Sequence, residues 1–350
     1  MKKLSLKKRN TIQNAPTRIT NETVAEHRER ILAGGRRFKY PMQYARHRLV
    51  FNTILVIIVA LLLFIAFCWW QLYFVQNTNS FFYRFTRVVP LPVASVDGEM
   101  VRYGDYLMYY NSSSHYLSQS EQVNLGSEDG KRQLDYIKRR SIDNVEADAY
   151  AAKLARGLNI TVSNDRVSKV IDEDRNTANG RISQETYDAS ALSVLGWTPE
   201  EYRQDAKSKL IRQDVSYAVD TQAHQKQESA AKLLGQPGAE LEKVAMQLGG
   251  EGDAKPVTGL SGLVPRSNRD GGLSAAAAKL EKGHISNVIK TTTGDGYYFV
   301  QLLDKNDSQI SYAFLRIPLT EFASRLNKLK KDNKIQEYIS ISKSETQKVN

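Results

Sequence analysis

The hydropathy pattern is dominated by one unbroken apolar run, LVFNTILVIIVALLLFIAFCWWQLYFV, Leu49 to Val75, with no charged side chain. As a helix rising 1.5 Å per residue, Thr53 to Val75 covers roughly 35 Å, against about 30 Å for a bilayer's hydrocarbon core. The run therefore predicts a membrane-crossing helix, and a buried core helix fits an uninterrupted stretch of this length poorly. Residues 76–92 read as an aromatic, proline-containing lead-out. VASVDGEMV then gives two short β-runs about Asp97-Gly98, a two-residue hairpin signal. From Tyr103 the period turns helical. A second helix from about Arg132 carries Leu134, Ile137, Ile142, Val145, Ala149 and Ala152. Ser163 is placed to cap a third, with Val167, Val170 and Ile171 on one face. Thr198, Pro199 and Glu201 form a capping-box start for a fourth, whose buried stripe is Tyr202, Ala206, Leu210, Ile211 and Val215.

The texture changes after Gly235-Gln236-Pro237-Gly238. A short amphipathic helix, ELEKVAMQL, precedes a glycine-rich stretch, GGEGDAKPVTGLSGLV, and a small-residue helix, SAAAAKLEKG. The loop HISNVIKTTTGDG leads into a strand, Tyr297 to Leu303. Side chains alternate across a strand, so Tyr298, Val300 and Leu302 share one face and Tyr297, Phe299, Gln301 and Leu303 the other. Both faces are mostly apolar, which predicts a covered central strand. ISYAFLRIPL pairs with it as a hairpin. A final helix from about Thr320 carries Phe322, Leu326, Leu329, Ile335 and Ile339.

Charge changes the picture only once it is located. The 350-residue chain has a net charge of +11. Residues 1–48 hold 13 Lys+Arg against 3 Asp+Glu, which leaves 36 against 35 for the remainder. The basicity belongs to the tail. Arg36, Arg37, Lys39, Arg46 and Arg48 crowd the near end of the apolar run, and Trp69, Trp70, Tyr73 and Phe74 its far end. Positive-inside orientation then places the N-terminus in the cytoplasm and everything after about residue 76 outside. A cleaved signal peptide would have a shorter charged region and a shorter apolar core. The tail is expected to touch anionic lipid headgroups, and KKLSLKKR lacks the aromatic interleaving of a nucleic-acid binder. Cys68 follows Phe67, not the small residue of a lipoprotein signal. As the lone cysteine it excludes an intramolecular disulfide and a cysteine-based zinc site.

Three stretches, VASVDGEMV, LDYIKRRSIDNVEADAYAAKLARGLNITVSNDRVSKVID and LGWTPEEYRQDAKSKLIRQD, occur in an order that resembles the N-terminal chaperone region of SurA-type and PrsA-type foldases. The resemblance covers roughly residues 93–220, with Gly196 through Arg203 as its clearest element. Residues 228–304 in turn resemble a parvulin-type peptidyl-prolyl isomerase domain through LEKVAMQL, the glycines of TGLSGLV, and Gly283, Ile285, Ser286, Thr293, Gly296 and Tyr297. Together these imply an α+β protein. Its parts would be a cytoplasmic tail (1–48), a single-pass transmembrane helix (49–75), a linker (76–92), a mostly helical chaperone domain (93–222), a small parvulin-like domain with an antiparallel sheet (223–305), and a C-terminal strand and helix (306–350).

The isomerase-like half departs from its family. Tyr298 stands where the family has histidine. No opening strand with a second histidine precedes it, since DTQAHQKQ is polar and His224 reads as a solvated helix residue. His284 reads as a surface residue. Of the family's groove residues only Leu273 has a counterpart in SNRDGGLSAAAA. Rotation about an X-Pro bond needs no covalent step. Its barrier of about 18–20 kcal/mol falls when a shaped apolar pocket holds the twisted amide. A tyrosine hydroxyl can donate a hydrogen bond there but cannot replace a strand, and Ile310 to Leu319 is a candidate to supply that strand from the other end. The implied peptide-binding residues are Leu263, Leu273, Tyr298 and Val300. Tyr298 is the one candidate for catalysis, and no cofactor or metal is implied. The leading expectation is an anchored chaperone for unfolded or secreted polypeptides with weak or no isomerase activity. An active isomerase and a scaffold for one specific partner stay open. No phosphate-binding glycine motif, HExxH or nucleophile elbow supports a nucleotide-binding or hydrolase reading.

Overall fold

The computed structural model of the chain describes residues 20–177 and 180–341, and of residues 35–46 the backbone helix alone. The KKLSLKKR run, and with it the lipid-headgroup and nucleic-acid expectations, lies outside the described residues. Two compact units divide at Trp70 and Gln71. The described part of the first holds one helix, α1 (Asn21–Trp70). Among the described residues, His47–Val75 is the one stretch long and apolar enough to cross a membrane, with a mean hydropathy of 3.0.

The second unit opens with a π-turn, Gln71–Val75, whose Leu72 is buried. The expected lead-out is instead a packed helix, α2 (Ser80–Val88), capped by Asn79 and burying Phe82 and Thr86. Alternate aromatic and polar residues in SFFYRFTRV conceal a 3.6-residue stripe. The hairpin stands as expected, β1 (Pro92–Val96) against β2 (Glu99–Arg102), followed directly by α3 (Tyr103–Gln119). Helix α4 (Glu128–Gly157) starts four residues earlier than its apolar periodicity indicates, because Ser127 caps it at Gly130 N. Helix α5 (Asn164–Asp174) begins at the Ser163 cap. A small ladder, β3 (Asn176–Thr177) with β4 (Gly180–Arg181), leads to α6 (Gln184–Leu195). No apolar period announced α6, and none of its residues is buried. Helix α7 (Pro199–Val219) carries the full Thr198–Glu201 capping box. Met108, Val162, Val167, Ile171, Trp197, Tyr202 and Leu210 form one core cluster of this helical layer.

Helices α8 (Thr221–Leu234) and α9 (Leu241–Leu248) then cover one face of a four-stranded antiparallel sheet. In it, β5 (Val257–Pro265), β8 (Gln309–Pro318), β7 (Gly296–Lys305) and β6 (Ile289–Lys290) lie in that spatial order. Helix α10 (Leu273–Ala277) covers the other face. Strand β5 is the glycine-rich stretch whose composition hid it. Gly262 takes φ +65° at a bulge, and a Cβ at Gly259 would stand 2.6 Å from the Phe314 ring. Strand β7 is covered on both faces as its pattern predicts, with Tyr297 and Phe299 in one cluster and Tyr298, Val300 and Leu302 in the other. Strand β8 is not at the edge of the sheet: it lies between β5 and β7.

The expected last helix is shorter. Helix α11 (Glu321–Lys331) stops before Asn333, at φ +54°, and Ile335 lies in strand β9 (Ile335–Glu337). Strand β9 pairs antiparallel with β1, and Ile339 is buried. Residues 306–341 are thus shared between two layers: β8 completes the large sheet, and α11 and β9 return to the helical layer.

Candidate functional site

A concavity of about 880 Å³ in the second unit lies between the helical layer and the sheet. Its walls are the 166, 169, 170, 173 face of α5, the 210, 213, 214, 217 face of α7, the start of α8, and β6 with the head of β7. Both helical faces follow i, i+3, i+4, i+7 spacing but mix polar and apolar residues. That mixture is the signal by which Lys169 and Tyr217 are legible as groove residues, and a search for purely apolar stripes passes over it.

The TTTGDG turn joins the two layers. Gln213 Nε2 donates to the Thr291 carbonyl at 2.6 Å, and Tyr217 Oη donates to the Gly296 carbonyl at 2.6 Å. The Tyr217 and Tyr297 rings meet edge to face at 5.0 Å. Lys290 Nζ stands 5.4 Å from the Tyr217 ring centre and 5.9 Å from that of Tyr297. Arg166 is held by both carboxylate oxygens of Asp214, one at 2.8 Å. The cleft therefore combines aromatic floor, aliphatic walls from Ile160, Val170 and Leu210, two exposed ammonium groups, Lys169 and Lys290, and the exposed carboxylate of Glu173.

Tyr298 is on the opposite face of β7. It is buried, its ring lies 5.9 Å from that of Phe314, and its hydroxyl donates to Asp295 Oδ2 at 2.6 Å. Burial, then the neighbouring Asp295, pushes its pKa upward. Burial alone would raise the Asp295 carboxyl too, but hydrogen bonds from Thr293, Tyr298 and Thr291, with Arg316 beside it, hold it below the usual value. Tyr312 repeats the device, donating to Asp270 Oδ2 at 2.6 Å. Both tyrosines thus anchor loops through a carboxylate. Val300 is fully buried and Leu273 nearly so, in the same cluster as Tyr298, whereas Leu263 is 58% exposed on the outer strand β5. The structure brings three of the four expected peptide-binding residues together, as core, and leaves the fourth apart.

His224 is exposed beside Glu228 at 3.3 Å, its ring 6.3 Å from Tyr297. His284 is exposed beside Glu281 at 3.9 Å. Neither histidine joins the Tyr298 cluster. Among the described residues no group of three or more His, Cys, Asp and Glu could hold a metal.

Residues 42–216 match the family model of a SurA-like N-terminal domain, an interval running from within α1 to within α7. No curated protein matches the chain.

Proposed function

From the premise that the chain belongs to the SurA-like N-terminal domain family, we propose that it is a membrane-anchored, extracytoplasmic chaperone binding extended polypeptide. In this reading His47–Val75 spans the bilayer and the N-terminus is cytoplasmic. The observation that carries the reading is the cleft where the helical layer meets the sheet. It has the aromatic and aliphatic surface that accepts unfolded segments, in an open concavity of about 880 Å³. Clients would be unfolded or secreted chains, with preference for segments that carry an acidic residue beside an apolar one, because Lys169 and Lys290 flank the aromatic floor.

The sheet fits a parvulin-like domain whose opening strand is supplied by β8 from the far end of the chain. The Tyr298 face supports weak or no isomerase activity. A buried phenol committed to Asp295 leaves a twisted amide no free hydroxyl donor there.

Charge reversal tests the cleft with little risk to folding, since Lys169 and Lys290 are both exposed. In the full chain reconstituted in nanodiscs, Lys169→Glu with Lys290→Glu is expected to weaken binding of a permanently unfolded, carboxymethylated test protein about tenfold at low salt. The difference shrinks at high salt. Unchanged affinity at low salt would place the client elsewhere.

A further inference from the structure

Strand β5 is the open end of the four-stranded sheet. Strand β8 pairs with one side of it, and among the described residues no strand pairs with the other. In an antiparallel ladder alternate residues turn their N–H and C=O groups to opposite sides, so an end strand directs half of them outward. Folded proteins blunt such an edge with lysine, proline or a bulge. Here Pro265 ends the strand and the bulge falls between Leu260 and Leu263. Residues 257–260, before the bulge, keep regular register with 313–316 and carry none of these guards. The edge is also apolar: Val257 is 49% exposed, Leu260 72% and Leu263 58%. Leu260 lies opposite Ala313 and Leu263 opposite Ser311, so the two leucines share a face of the sheet.

The charge around the edge indicates what fits it. A concavity of about 780 Å³ opens where β5 starts, beside the end of β8 and α11, and Lys255, Val257, Lys328 and Lys331 line it. The neighbouring Lys330 of α11 is paired with Asp143 and Glu146. Lys255, Lys328 and Lys331 are exposed and enter no ion pair among the described residues. Arg316, on the same wall, is taken up by Asp295, with Nε 3.2 Å from Oδ2. Against the three ammonium groups the described lining offers one carboxylate, the exposed Asp253. An apolar strand edge that starts in a cationic hollow is complementary to an extended segment with aliphatic side chains and an acidic end.

We propose that the open edge of β5 takes an extended polypeptide segment as an added strand, paired along residues 257–260, with its acidic end in the hollow of Lys255, Lys328 and Lys331. Main-chain hydrogen bonds supply affinity that tolerates many sequences, and Leu260 and Leu263 meet alternate side chains of the segment. The bulge after Leu260 interrupts the ladder and keeps the pairing short. The lysines select which end of the segment lies at the start of β5. This rests on the reading of the chain as a chaperone for extended polypeptide, and gives it a second surface besides the cleft.

The test uses the full chain in phosphatidylcholine nanodiscs and a fluorescein-labelled peptide of alternating valine and threonine with a pair of aspartates at each end, followed by fluorescence anisotropy. Two N-methylated forms, one methylated at the valines and one at the threonines, each remove one alternate set of amide donors. One form is expected to bind about tenfold more weakly and the other nearly as well as the unmodified peptide. Leu260→Ser with Leu263→Ser, and separately Lys328→Glu with Lys331→Glu, are each expected to weaken binding about tenfold, all four positions being exposed. Lys169→Glu with Lys290→Glu is expected to leave it unchanged. Equal binding of the peptide and both methylated forms would overturn strand addition. Loss through the Lys169 and Lys290 pair alone would place the peptide in the cleft, and affinity that falls as the chain is concentrated would give the edge to a second copy; either result overturns the assignment. A chain that binds the carboxymethylated test protein but not the peptide would refute the edge and leave the chaperone reading standing, and one that binds neither would remove both.

Discussion

Asp220→Ala is expected to lower the unfolding free energy of the full chain by roughly 2–4 kcal/mol, and Asp220→Asn by much less. Asp220 is 3% exposed at the junction of α7 and α8. Its Oδ1 caps α8 by accepting from Ala223 N at 2.9 Å. Its Oδ2 accepts from Thr320 N at 2.7 Å and Glu321 N at 3.1 Å, where α11 begins. One carboxylate therefore satisfies the starts of two helices about 100 residues apart in sequence. A helix cap is worth about 1 kcal/mol, and a buried donor left without a partner costs about 1–3 kcal/mol more. Asparagine keeps one acceptor oxygen and so retains part of this. Besides the loss in urea denaturation, Asp220→Ala should speed proteolysis within residues 320–331, because α11 loses its anchor. The Phe322 ring, 5.5 Å from that of Tyr150, would remain as its main apolar contact. An Asp220→Ala variant as stable as the parent would show that the carboxylate ties nothing together.

The second large effect is one of pH. Glu146 of α4 is fully buried, neither carboxylate oxygen accepts a well-directed hydrogen bond, and Lys330 Nζ stands 3.4 Å from Oε2. Burial pushes its pKa up to about 7, against the opposing pull of Lys330, while Glu337 and Asp143 raise it further and Arg139 lowers it. The folded state therefore keeps a proton on Glu146 between about pH 4.5 and 7 that the unfolded chain has released. Stability from this group is present at the acid end, falls as pH rises through that window, and is lost above pH 7. A shift of this size corresponds to about 3 kcal/mol. Other buried carboxyls, Asp148 among them, also have raised pKa values, so the parent's profile is a composite. The comparison with Glu146→Gln isolates this one. The variant is expected to match the parent near pH 4.5 and to exceed it by about 2–3 kcal/mol at pH 8 in urea midpoints. Parallel profiles for the two proteins would contradict the assignment. The cost falls where α11 and β9 close on α4: Lys330 also meets Asp143, and Arg139 meets Glu337 of β9 at 2.7 Å.

Elements whose physics is local were legible in the sequence. The Thr198 capping box, the Ser163 cap, the Asp97-Gly98 hairpin and the two-faced strand at Tyr297 all stand where the residues put them. What escaped depends on partners distant in sequence. Strand β5 is hidden by Gly259 and Gly262, one needed for the approach of Phe314 and the other for a bulge. Strand β9 is three residues long and has no pattern of its own apart from its pairing with β1. Tyr298 was legible as a residue of a covered strand, but its pairing with Asp295 was not, because the Gly-Asp-Gly turn reads only as a turn. The cleft was missed for a similar reason. Its walls are the mixed faces of α5 and α7, and Lys290 reaches it only through the short strand β6.

The proposed binding without isomerisation is checked by following a test protein whose refolding is limited by a prolyl bond, a phase that takes tens of seconds or more uncatalysed. The measurement is made with and without the nanodisc-borne chain. Suppressed aggregation during refolding, with the slow phase unchanged in rate, is the predicted result. Acceleration of that phase in proportion to the chain's concentration would contradict the claim and make the Tyr298 sheet a working isomerase.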